Sequence, residues 1–346
     1  MVDNGSKIHR RNKSTTYDLT STDEGYGVMK RPNIKLVTLG NYQIEPWYGN
    51  GAYFNDKGVK KELGVEADLH DKLDEHTVSE GYWLDNLYVC EYCFKYTSIK
   101  YKYQAHRAAC RHNKPLPTIG KLVYRDDDSP YLIRKVKGYE DTLFCQNLCL
   151  FGKLFLDDKS VFYNVDQFEY FILYGFDDND IQADTKEPNF KPMGFFSKET
   201  ISWDGNNNLA CICIFPPYQR KHLGTLLIEF SYAVAKVTPG QSLSGPEFPL
   251  SAFGKVSYYR FWSQKLSIFL LDYLNKRPKF SLQEVAELTG FRKEDIMLTL
   301  DYMKVLQVQK SGDLSILLGN IRQFCLDHKI DPTQETGMLK VDCLII

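Results

Sequence analysis

The amino-acid sequence predicts a mixed α/β fold that ends in a helical segment, and three observations support this prediction. The runs LVYR and YLIRKV flank the turn residues DDDSP, a pattern that predicts a β-hairpin. The run LACICIF is a predicted strand, and after a short loop apolar residues follow at helical spacing from Leu223 to Val234. From Tyr258 to about Val308 the pattern is mostly helical. Hairpins combined with one strand–loop–helix crossing indicate a mixed sheet.

The other elements follow in chain order. Residues 1–33 are polar and rich in Ser, Thr, Lys and Arg, which predicts a disordered tail. From Ile34 the chain becomes apolar and aromatic, as in a strand followed by a loop. MGFFSKE is a predicted strand, and VDQFEYFILYGF is a predicted helix. The acidic stretch Asp177–Pro192 predicts a surface loop, and a capping box formed by Ser281 and Glu284 predicts a helix start.

The composition restricts the class of protein. The 346 residues are 43% hydrophobic and 14% aromatic, which excludes a chain that is disordered throughout. The formal net charge of −1 argues against a protein that coats nucleic acid, because such binding needs a strong basic excess. Apolar runs of about 18 residues and a secretory signal are both missing, so we expect an intracellular chain without a membrane span. We therefore expect the nine cysteines to bind metal, act in catalysis or be buried, rather than form disulfides.

One cluster of cysteine and histidine has the spacing of a small zinc finger. Its pattern is Cys90-x2-Cys93-x12-His106-x3-Cys110. Two thiolates on a tight turn, together with two ligands four residues apart at a helix, can form a tetrahedral shell around zinc. Four protein ligands leave no position for water or substrate, so the predicted role of the zinc is structural. His112 is an alternative fourth ligand, and we prefer Cys110.

The segment that follows the strand LACICIF is a second candidate site. The loop from Gln219 to Gly224 leads into a helix N-terminus, whose N–H groups and positive dipole end favour an anion. By this pattern alone, the loop is either a site for a cofactor pyrophosphate or a structural turn. Cys211 and Cys213 share one face of the preceding strand, where buried cysteines are usually inert. Glu247 lies in the stretch GPEFP and taken alone predicts a surface acid.

Several long strings resemble the MYST family of histone acetyltransferases. They are NYQIEPWY, YCFKYTSIKYKYQAHRAAC, FCQNLCLFGKLFLDDKSVFYNVDQF, NLACICIFPPYQRKHLGTLLIEFSY and SGPEFPLSAFGKVSYYRFW. The resemblance implies a GNAT-like core that binds acetyl-CoA, with an N-terminal zinc finger and a winged-helix-like C-terminal segment. The implied divisions are a tail at 1–33, an acetyltransferase domain at 34–320 and an extension at 321–346. The domain is divided into a zinc finger at 88–112, a catalytic core at 121–262 and a helical subdomain at 263–320.

The resemblance also implies roles for individual residues. Glu247 stands where the family has its general base, and Cys211 stands where it has a cysteine proposed to carry the acetyl group transiently. Lys153 matches a lysine that members of the family autoacetylate. The residues that match the cofactor-binding strand, the pyrophosphate loop and the serine after the base are Ile212, Cys213, Ile214, Gln219, Arg220, Lys221, His222, Leu223, Gly224, Thr225 and Ser251.

One residue of the loop departs from the family pattern. His222 replaces the first glycine of the pyrophosphate loop. A β-carbon at this position predicts either a crowded pyrophosphate or a shifted backbone, because glycine adopts conformations that histidine rarely adopts. Gly224, Glu247 and Cys211 are retained, so we expect an active enzyme.

The resemblance implies a nuclear enzyme that acetylates histone tails and acts in chromatin silencing or transcription. The expected substrate is histone H4, at the lysine in the sixteenth position if the protein is SAS-like. The expected partners are the nucleosome and the accessory subunits of a SAS-like complex, with direct contact to DNA weak or none. Because one base and proximity suffice for acetyl transfer, we favour direct transfer over an acetylated Cys211.

Two alternatives to an active enzyme remain at this point. One is an adaptor that binds chromatin through the finger and the helix-turn-helix-like segment 281–305. Its second helix has balanced charges, which suits a phosphate-facing surface poorly. These charges are Glu294, Asp295 and Asp301 against Arg292, Lys293 and Lys304. The other alternative is a catalytically degenerate scaffold, which is supported by His222.

Overall fold

A computed structural model describes most of the chain. The described residues are 28–29, 32–54, 60–61, 65–66, 83–156, 164–176, 189–201, 206–277, 279–310, 314–333 and 337–345. The predicted tail and the predicted acidic loop lie outside these ranges except at their ends. Among the helices within the ranges, none is long and apolar enough to cross a membrane.

The N-terminal part contains a four-stranded sheet followed by one helix. Its elements are β1 (Val28–Met29), β2 (Ile34–Leu39), β3 (Tyr42–Ile44), β4 (Gly49–Asn50), β5 (Lys60–Lys61), β6 (Val65–Glu66), β7 (Leu84–Val89), β8 (Tyr96–Thr97) and α1 (Lys100–Ala109). The sheet has the order β3-β2-β7-β8, and β2 runs parallel to β7. Val37 and Leu87, in these two strands, are fully buried in the main hydrophobic core. The sheet therefore anchors the segment that leads into the cysteine–histidine cluster.

The central part contains the predicted α/β core. Its elements are β9 (Lys121–Arg125), β10 (Tyr131–Lys137), α2 (Thr142–Gly152), β11 (Phe168–Gly175), β12 (Lys191–Glu199), β13 (Asn207–Leu209), β14 (Cys211–Ile214) and α3 (Leu223–Val237). A five-stranded antiparallel sheet has the order β14-β12-β11-β10-β9. The predicted hairpin is confirmed as β9 and β10. The strands predicted in MGFFSKE and LACICIF are confirmed as β12 and as β13 with β14.

The helix predicted for VDQFEYFILYGF is wrong, because this run forms the central strand β11. Every residue of β11 except Glu169 is buried. Tyr170 contacts Cys149 of α2, and the next residue, Phe171, contacts Phe230 of α3, so helices cover both faces of the strand. A strand buried on both faces lacks the polar alternation that identifies strands in a sequence. Its continuous apolar run cannot be distinguished from a buried helix by periodicity.

Helix α3 covers one face of the central sheet, as its apolar spacing predicted. The residues on its inner face are Leu223, Leu226, Leu227, Phe230 and the partly buried Val234. Phe171 and Phe196 stack on adjacent strands with ring centroids 4.6 Å apart, and Phe230 packs against both rings. Burial of each such side chain stabilises the fold by about 1.5–3 kcal/mol, so the start of α3 is firmly held against β14 and its neighbours.

The C-terminal part is mostly helical. Its elements are β15 (Gly245–Pro246), α4 (Ala252–Lys276), α5 (Leu282–Thr289), α6 (Lys293–Tyr302), β16 (Leu306–Val308), β17 (Leu314–Ile316) and α7 (Leu318–His328). The predicted capping box of Ser281 and Glu284 begins α5, and Gly290 ends it with a positive φ of 79°. Helices α5 and α6 followed by the β16–β17 hairpin give the expected winged-helix-like arrangement. Helix α4 runs without a break across the boundary predicted at residue 262, and Trp262 is fully buried in a second hydrophobic core.

The end of the chain returns to the central sheet. Ile345 N–H donates to the carbonyl oxygen of Val123 in β9 at 2.9 Å. Lys340 Nζ lies 3.0 Å from a carboxylate oxygen of Asp126 and 2.8 Å from one of Asp128, just after β9. The region predicted as an extension therefore pairs with the outer edge of the sheet, at the end opposite β14.

Candidate active site and metal centre

The structure brings the four predicted metal ligands together. The Sγ atoms of Cys90, Cys93 and Cys110 and a ring nitrogen of His106 all lie within 4.8 Å of one another. Cys93 Sγ is 3.2 Å from His106 Nε2. Neighbouring ligands in a tetrahedral zinc shell are about 3.5–4 Å apart, so this donor set and its spacing fit zinc. His112 lies outside the group.

The elements around this group hold it in place. Cys90 and Cys93 lie in the turn after β7, and the other two ligands come from the end of α1. Glu91, which is buried, forms an ion pair of 2.6 Å with Arg107 Nη2 and so ties the turn to α1. Hydrogen bonds among the three thiols lower the pKa of Cys110 and raise the pKa values of Cys90 and Cys93.

Strand β14 and the N-terminus of α3 form the second predicted site. β14 is the edge strand of the central sheet, and the loop after it folds back so that Gln219 Nε2 donates to the carbonyl oxygen of Ile214 at 2.9 Å. The loop then exposes Arg220 and Lys221 and enters the 15-residue helix α3. At the start of α3 the N-cap side chain makes no capping hydrogen bond. First-turn N–H groups and the positive dipole end at this position suit an anion.

The remaining residues of the loop and of β14 differ in how far their side chains are exposed to solvent. Leu223 has its side chain in the core, so only its backbone faces the loop. A β-carbon built on Gly224 would meet nothing closer than Ile214 Cγ1 at 3.8 Å, so the packing of the protein leaves space here for a ligand. Ile212 and Thr225 are half-buried, whereas Cys213 is buried. Burial raises the pKa of the Cys213 thiol well above its ordinary value, which makes it unreactive.

His222 has a backbone conformation that glycine adopts more readily than histidine. Its φ of 59° and ψ of 13° are left-handed, and its side chain is exposed. Histidine enters this region several times more often than most residues, at a cost of about 1–2 kcal/mol. Glycine adopts this left-handed conformation without the strain that a β-carbon adds. The crowded pyrophosphate and the shifted backbone both stay predictions.

A buried cluster surrounds the predicted Cys211. Cys149 Sγ lies 3.3 Å from Tyr170 Oη in a hydrogen bond. Burial raises the pKa of Cys149 to about 12, with Cys211 nearby adding to the rise and Lys153 opposing it. Lys153 is itself only 8% exposed and ends α2. Cys149 and Tyr170 are therefore in direct contact, and Lys153 and Cys211 lie close enough to Cys149 to influence its pKa.

The loop with Glu247 lies next to the strand that carries Cys211. β15 pairs in parallel with β13, and Glu247 N–H donates to the carbonyl oxygen of Leu209 at 2.8 Å, two residues before Cys211. Glu247 is half-buried. Ser251 is the N-cap of α4, where its Oγ accepts from Gly254 N–H at 3.1 Å. The hydroxyl proton of Ser251 is still available to a ligand, because this bond uses the oxygen as an acceptor.

Sequence reasoning missed three residues of this region. Cys149 and Tyr170 belong to the cluster around Cys211, and Arg292 contacts the Glu247 loop through Pro246. The spacing of Cys145, Cys149 and Lys153 at four-residue intervals could have indicated a shared helix face. Nothing in the sequence near Arg292 indicates its contact with a loop 46 residues away.

The fold and these sites define an α/β protein with a group of three cysteines and one histidine that could hold a metal ion and a loop suited to an anionic cofactor. The model of the MOZ/SAS family matches residues 117–341 of the chain. Histone acetyltransferase SAS2 of Saccharomyces cerevisiae is 41% identical over 302 residues, which cover 87% of this chain and 82% of that protein. Histone acetyltransferase MOF of Drosophila melanogaster is 31% identical over 333 residues, and histone acetyltransferase esa-1 of Neurospora crassa is 34% identical over 287 residues.

The alignment with MOF covers 94% of this chain but only 34% of MOF. The alignment with esa-1 covers 83% of this chain and 48% of esa-1. The chain belongs to the MOZ/SAS family, and the resemblance to the MYST acetyltransferases is confirmed. It is therefore an acetyltransferase with the GNAT-like core of that family, which uses acetyl-CoA.

Proposed function

We propose that the chain transfers the acetyl group of acetyl-CoA to a lysine side chain of a histone tail, with Glu247 as the general base. The observation that carries this proposal is the hydrogen bond from Glu247 N–H to Leu209, which holds the acid next to the strand of Cys211. The likeness to SAS2 supports a SAS-like assignment. On that assignment the substrate is histone H4, at the lysine in the sixteenth position.

Two groups would bind to the residues described above. Zinc would be held by Cys90, Cys93, His106 and Cys110, where its role is structural because four protein ligands complete its shell. Acetyl-CoA would be held along the edge of β14 and at the N-terminus of α3, and when bound it supplies an acetyl group activated as a thioester. The residues at this position are Ile212, Cys213, Ile214, Gln219, Arg220, Lys221, His222, Leu223, Gly224, Thr225 and Ser251.

Transfer requires a base because the pKa of a free lysine side chain is about 10.4, so nearly all of it is protonated at neutral pH. A carboxylate in position can remove this proton, and Glu247 is half-buried and held by its backbone. The freed amine would then attack the acetyl carbonyl directly. The new C–N bond would form as the C–S bond of the thioester breaks, and coenzyme A would leave as a thiolate that takes up a proton. Cys211 is 5% exposed and lines the pocket in this scheme. Backbone N–H groups near Cys211 are the proposed donors to the developing oxyanion.

Lys153 is the proposed site of autoacetylation. Two observations support this proposal: Lys153 is buried at the end of α2, and its charge acts on the pKa of Cys149, as Cys211 does. We also propose a nuclear location, a nucleosomal substrate and accessory subunits as in a SAS-like complex, with roles in silencing or transcription. The relatives' names, which describe histone acetyltransferases, support the nucleosomal substrate, and the other parts of this proposal rest on the family resemblance.

The adaptor alternative is weakened by the C-terminal subdomain. Arg292 and Asp295, two of the six charges counted on its second helix, pair with each other at 2.8 Å and are withdrawn from the surface. That helix packs through Ile296 and Leu300 into the second core. A recognition helix that faces phosphates needs its basic side chains in solvent.

Mass spectrometry tests the proposal directly. The full chain and its Glu247→Gln variant are incubated with acetyl-CoA and a histone H4 tail peptide, and both peptide and protein are analysed. We expect acetyl on the peptide with the wild-type chain and none with the variant, and the fragment spectrum identifies the lysine. Acetyl on Lys153 alone would indicate a competent cofactor site that needs partner subunits. Absence of acetyl everywhere would favour the scaffold.

The Cys211→Ala variant tests direct transfer in the same experiment. We expect reduced but measurable acetylation, because Cys211 lines the pocket without forming a covalent bond. Complete loss with acetyl-CoA binding retained would contradict direct transfer and favour an acetylated cysteine.

A further inference from the structure

An arginine of the C-terminal helical subdomain holds the loop that carries Glu247. Arg292 Nη2 donates to the carbonyl oxygen of Pro246 at 2.6 Å, and Nη1 donates to Asn207 Oδ1 at 3.1 Å. Its Nε donates at 2.8 Å to Asp295 Oδ2, and Asp295 is fully buried. One guanidinium therefore joins the start of α6, the start of β13 and the residue before Glu247.

The peptide group between Pro246 and Glu247 is held at both of its polar atoms. Its carbonyl oxygen accepts from Arg292, and its N–H donates to the carbonyl oxygen of Leu209 at 2.8 Å. A peptide group is planar and rigid, so two hydrogen bonds to opposite sides restrict its rotation. The direction in which the Glu247 side chain leaves the backbone therefore depends on Arg292.

The spacing around Gly245 shows how closely the ion pair approaches the loop. A β-carbon built on Gly245 would lie 2.2 Å from Asp295 Oδ2 and 2.5 Å from Arg292 Nε, so only glycine fits. On the other side of Glu247, the ring centroid of Phe248 lies 5.4 Å from the guanidinium carbon. The guanidinium thus contacts the chain both before and after Glu247.

We propose that Arg292, itself oriented by Asp295, is a positioning residue that holds Glu247 where it can accept the proton of the substrate lysine. This inference rests on the proposed role of Glu247 as the base. Arginine is suited to the task because its five donors lie in one plane, whereas lysine has a single ammonium group. A catalytic group displaced by about 1 Å can lose about 100-fold in rate.

The Arg292→Lys variant tests the proposal. Lysine keeps a positive charge beside Asp295, so the buried carboxylate remains paired, but one ammonium cannot replace the hydrogen bonds to Asp295, Pro246 and Asn207. We expect kcat for acetylation of the H4 tail peptide to fall about 10- to 100-fold, with KM for acetyl-CoA within about twofold of the wild type. We also expect faster hydrogen exchange in residues 244–250, because the loop is less restrained. If Arg292→Lys does not fold, the double variant Arg292→Met/Asp295→Leu replaces it, since it leaves no unpaired buried charge.

A matched control separates positioning from general destabilisation. Lys265→Met removes another pair with a buried carboxylate, because Lys265 Nζ lies 3.0 Å from the buried Glu229. Glu229 is bonded to Met338 N–H and has no contact with the Glu247 loop among the interactions described for it. We expect this variant to retain kcat within about twofold, even where its unfolding temperature falls as much as that of Arg292→Lys.

A double-mutant cycle decides whether Arg292 acts through Glu247. The cycle uses enough enzyme and time to measure the residual rate of Glu247→Gln, which falls below detection in the peptide experiment above. Under these conditions we expect Glu247→Gln and Glu247→Gln/Arg292→Lys to have the same rate, because a positioning residue has no effect once the base is gone. Losses that multiply in the double variant, or a kcat for Arg292→Lys within twofold of the wild type, would overturn the positioning role alone. Full activity of Glu247→Gln would instead overturn the proposed base, and the positioning role with it.

Discussion

Glu229 of α3 attaches the C-terminal segment to the catalytic core, and its removal has a calculable cost. Its side chain is 7% exposed, and one carboxylate oxygen accepts from the N–H groups of Met338 and Leu339 at 2.9 and 3.2 Å. The other oxygen lies 3.0 Å from Lys265 Nζ. The Glu229→Gln substitution keeps the size of the side chain and one acceptor oxygen, removes the charge, and replaces the other oxygen with an NH2 donor.

The magnitude follows from these three contacts. A hydrogen bond to a charged group contributes about 1.5–3 kcal/mol and a neutral one about 1 kcal/mol, so each N–H bond weakens by about 1 kcal/mol. The Lys265 side chain is 38% exposed, so its ion pair, discounted for solvent, adds about 1 kcal/mol or less. We expect Glu229→Gln to lower the free energy of unfolding by about 2–3 kcal/mol. Glu229→Ala removes the acceptor entirely and should cost about 3–5 kcal/mol.

Urea unfolding measures the loss of stability, and hydrogen exchange of residues 337–345 shows where it occurs. We expect faster exchange in this segment in both Glu229 variants. The control is Glu287→Gln, because Glu287 is exposed on α5 and bonded only to Gln283 among its described contacts. Its effect should stay within about 0.5 kcal/mol. Changes below about 0.5 kcal/mol in both Glu229 variants, or unchanged exchange in 337–345, would refute the reasoning.

Two further predictions concern the metal centre and the cofactor loop. We expect one zinc per chain by elemental analysis, lost in Cys110→Ser and kept in His112→Ala; zinc kept in both variants would contradict the four-ligand assignment. His222 already has a left-handed backbone, so we expect His222→Gly to bind acetyl-CoA with a Kd within about twofold of the wild type. For the same reason we expect His222→Val to lower the free energy of unfolding by about 1–2 kcal/mol. A tenfold tighter Kd for the glycine variant, measured by calorimetry, would show that the imidazole obstructs the site.

The elements with one buried face could be predicted from the sequence, because the spacing of their apolar residues indicates which side is buried. Helix α3 shows Leu223, Leu226 and Phe230 at helical spacing, and all three are buried as this spacing requires. The metal group could be predicted for a similar reason, since its ligands come from two short segments close together in the chain. Local spacing is enough when the contacts themselves are local.

Strand β11 shows where this reasoning stops. Its residues are buried on both faces, so the pattern of Tyr170, Phe171 and their neighbours contains no polar alternation to indicate a strand. The strand was recognisable only through its partners β10 and β12, and pairing between strands distant in sequence leaves no periodic signal. The same limit hid Cys149 from the site around Cys211.

Arg292 illustrates the limit most clearly, because its charge was counted as a surface property. Arg292 and Asp295 stand three residues apart at the start of a helix, a spacing that also occurs in exposed ion pairs. Burial of the pair gives it another effect. The guanidinium has donors left for Asn207, at the start of β13, and for Pro246, in a loop that has no long strand or helix of its own. A loop that must hold a catalytic acid still, and that cannot do so by its own hydrogen bonds, needs such support from elsewhere in the chain. Residues that position a base therefore lie where local sequence patterns are least informative.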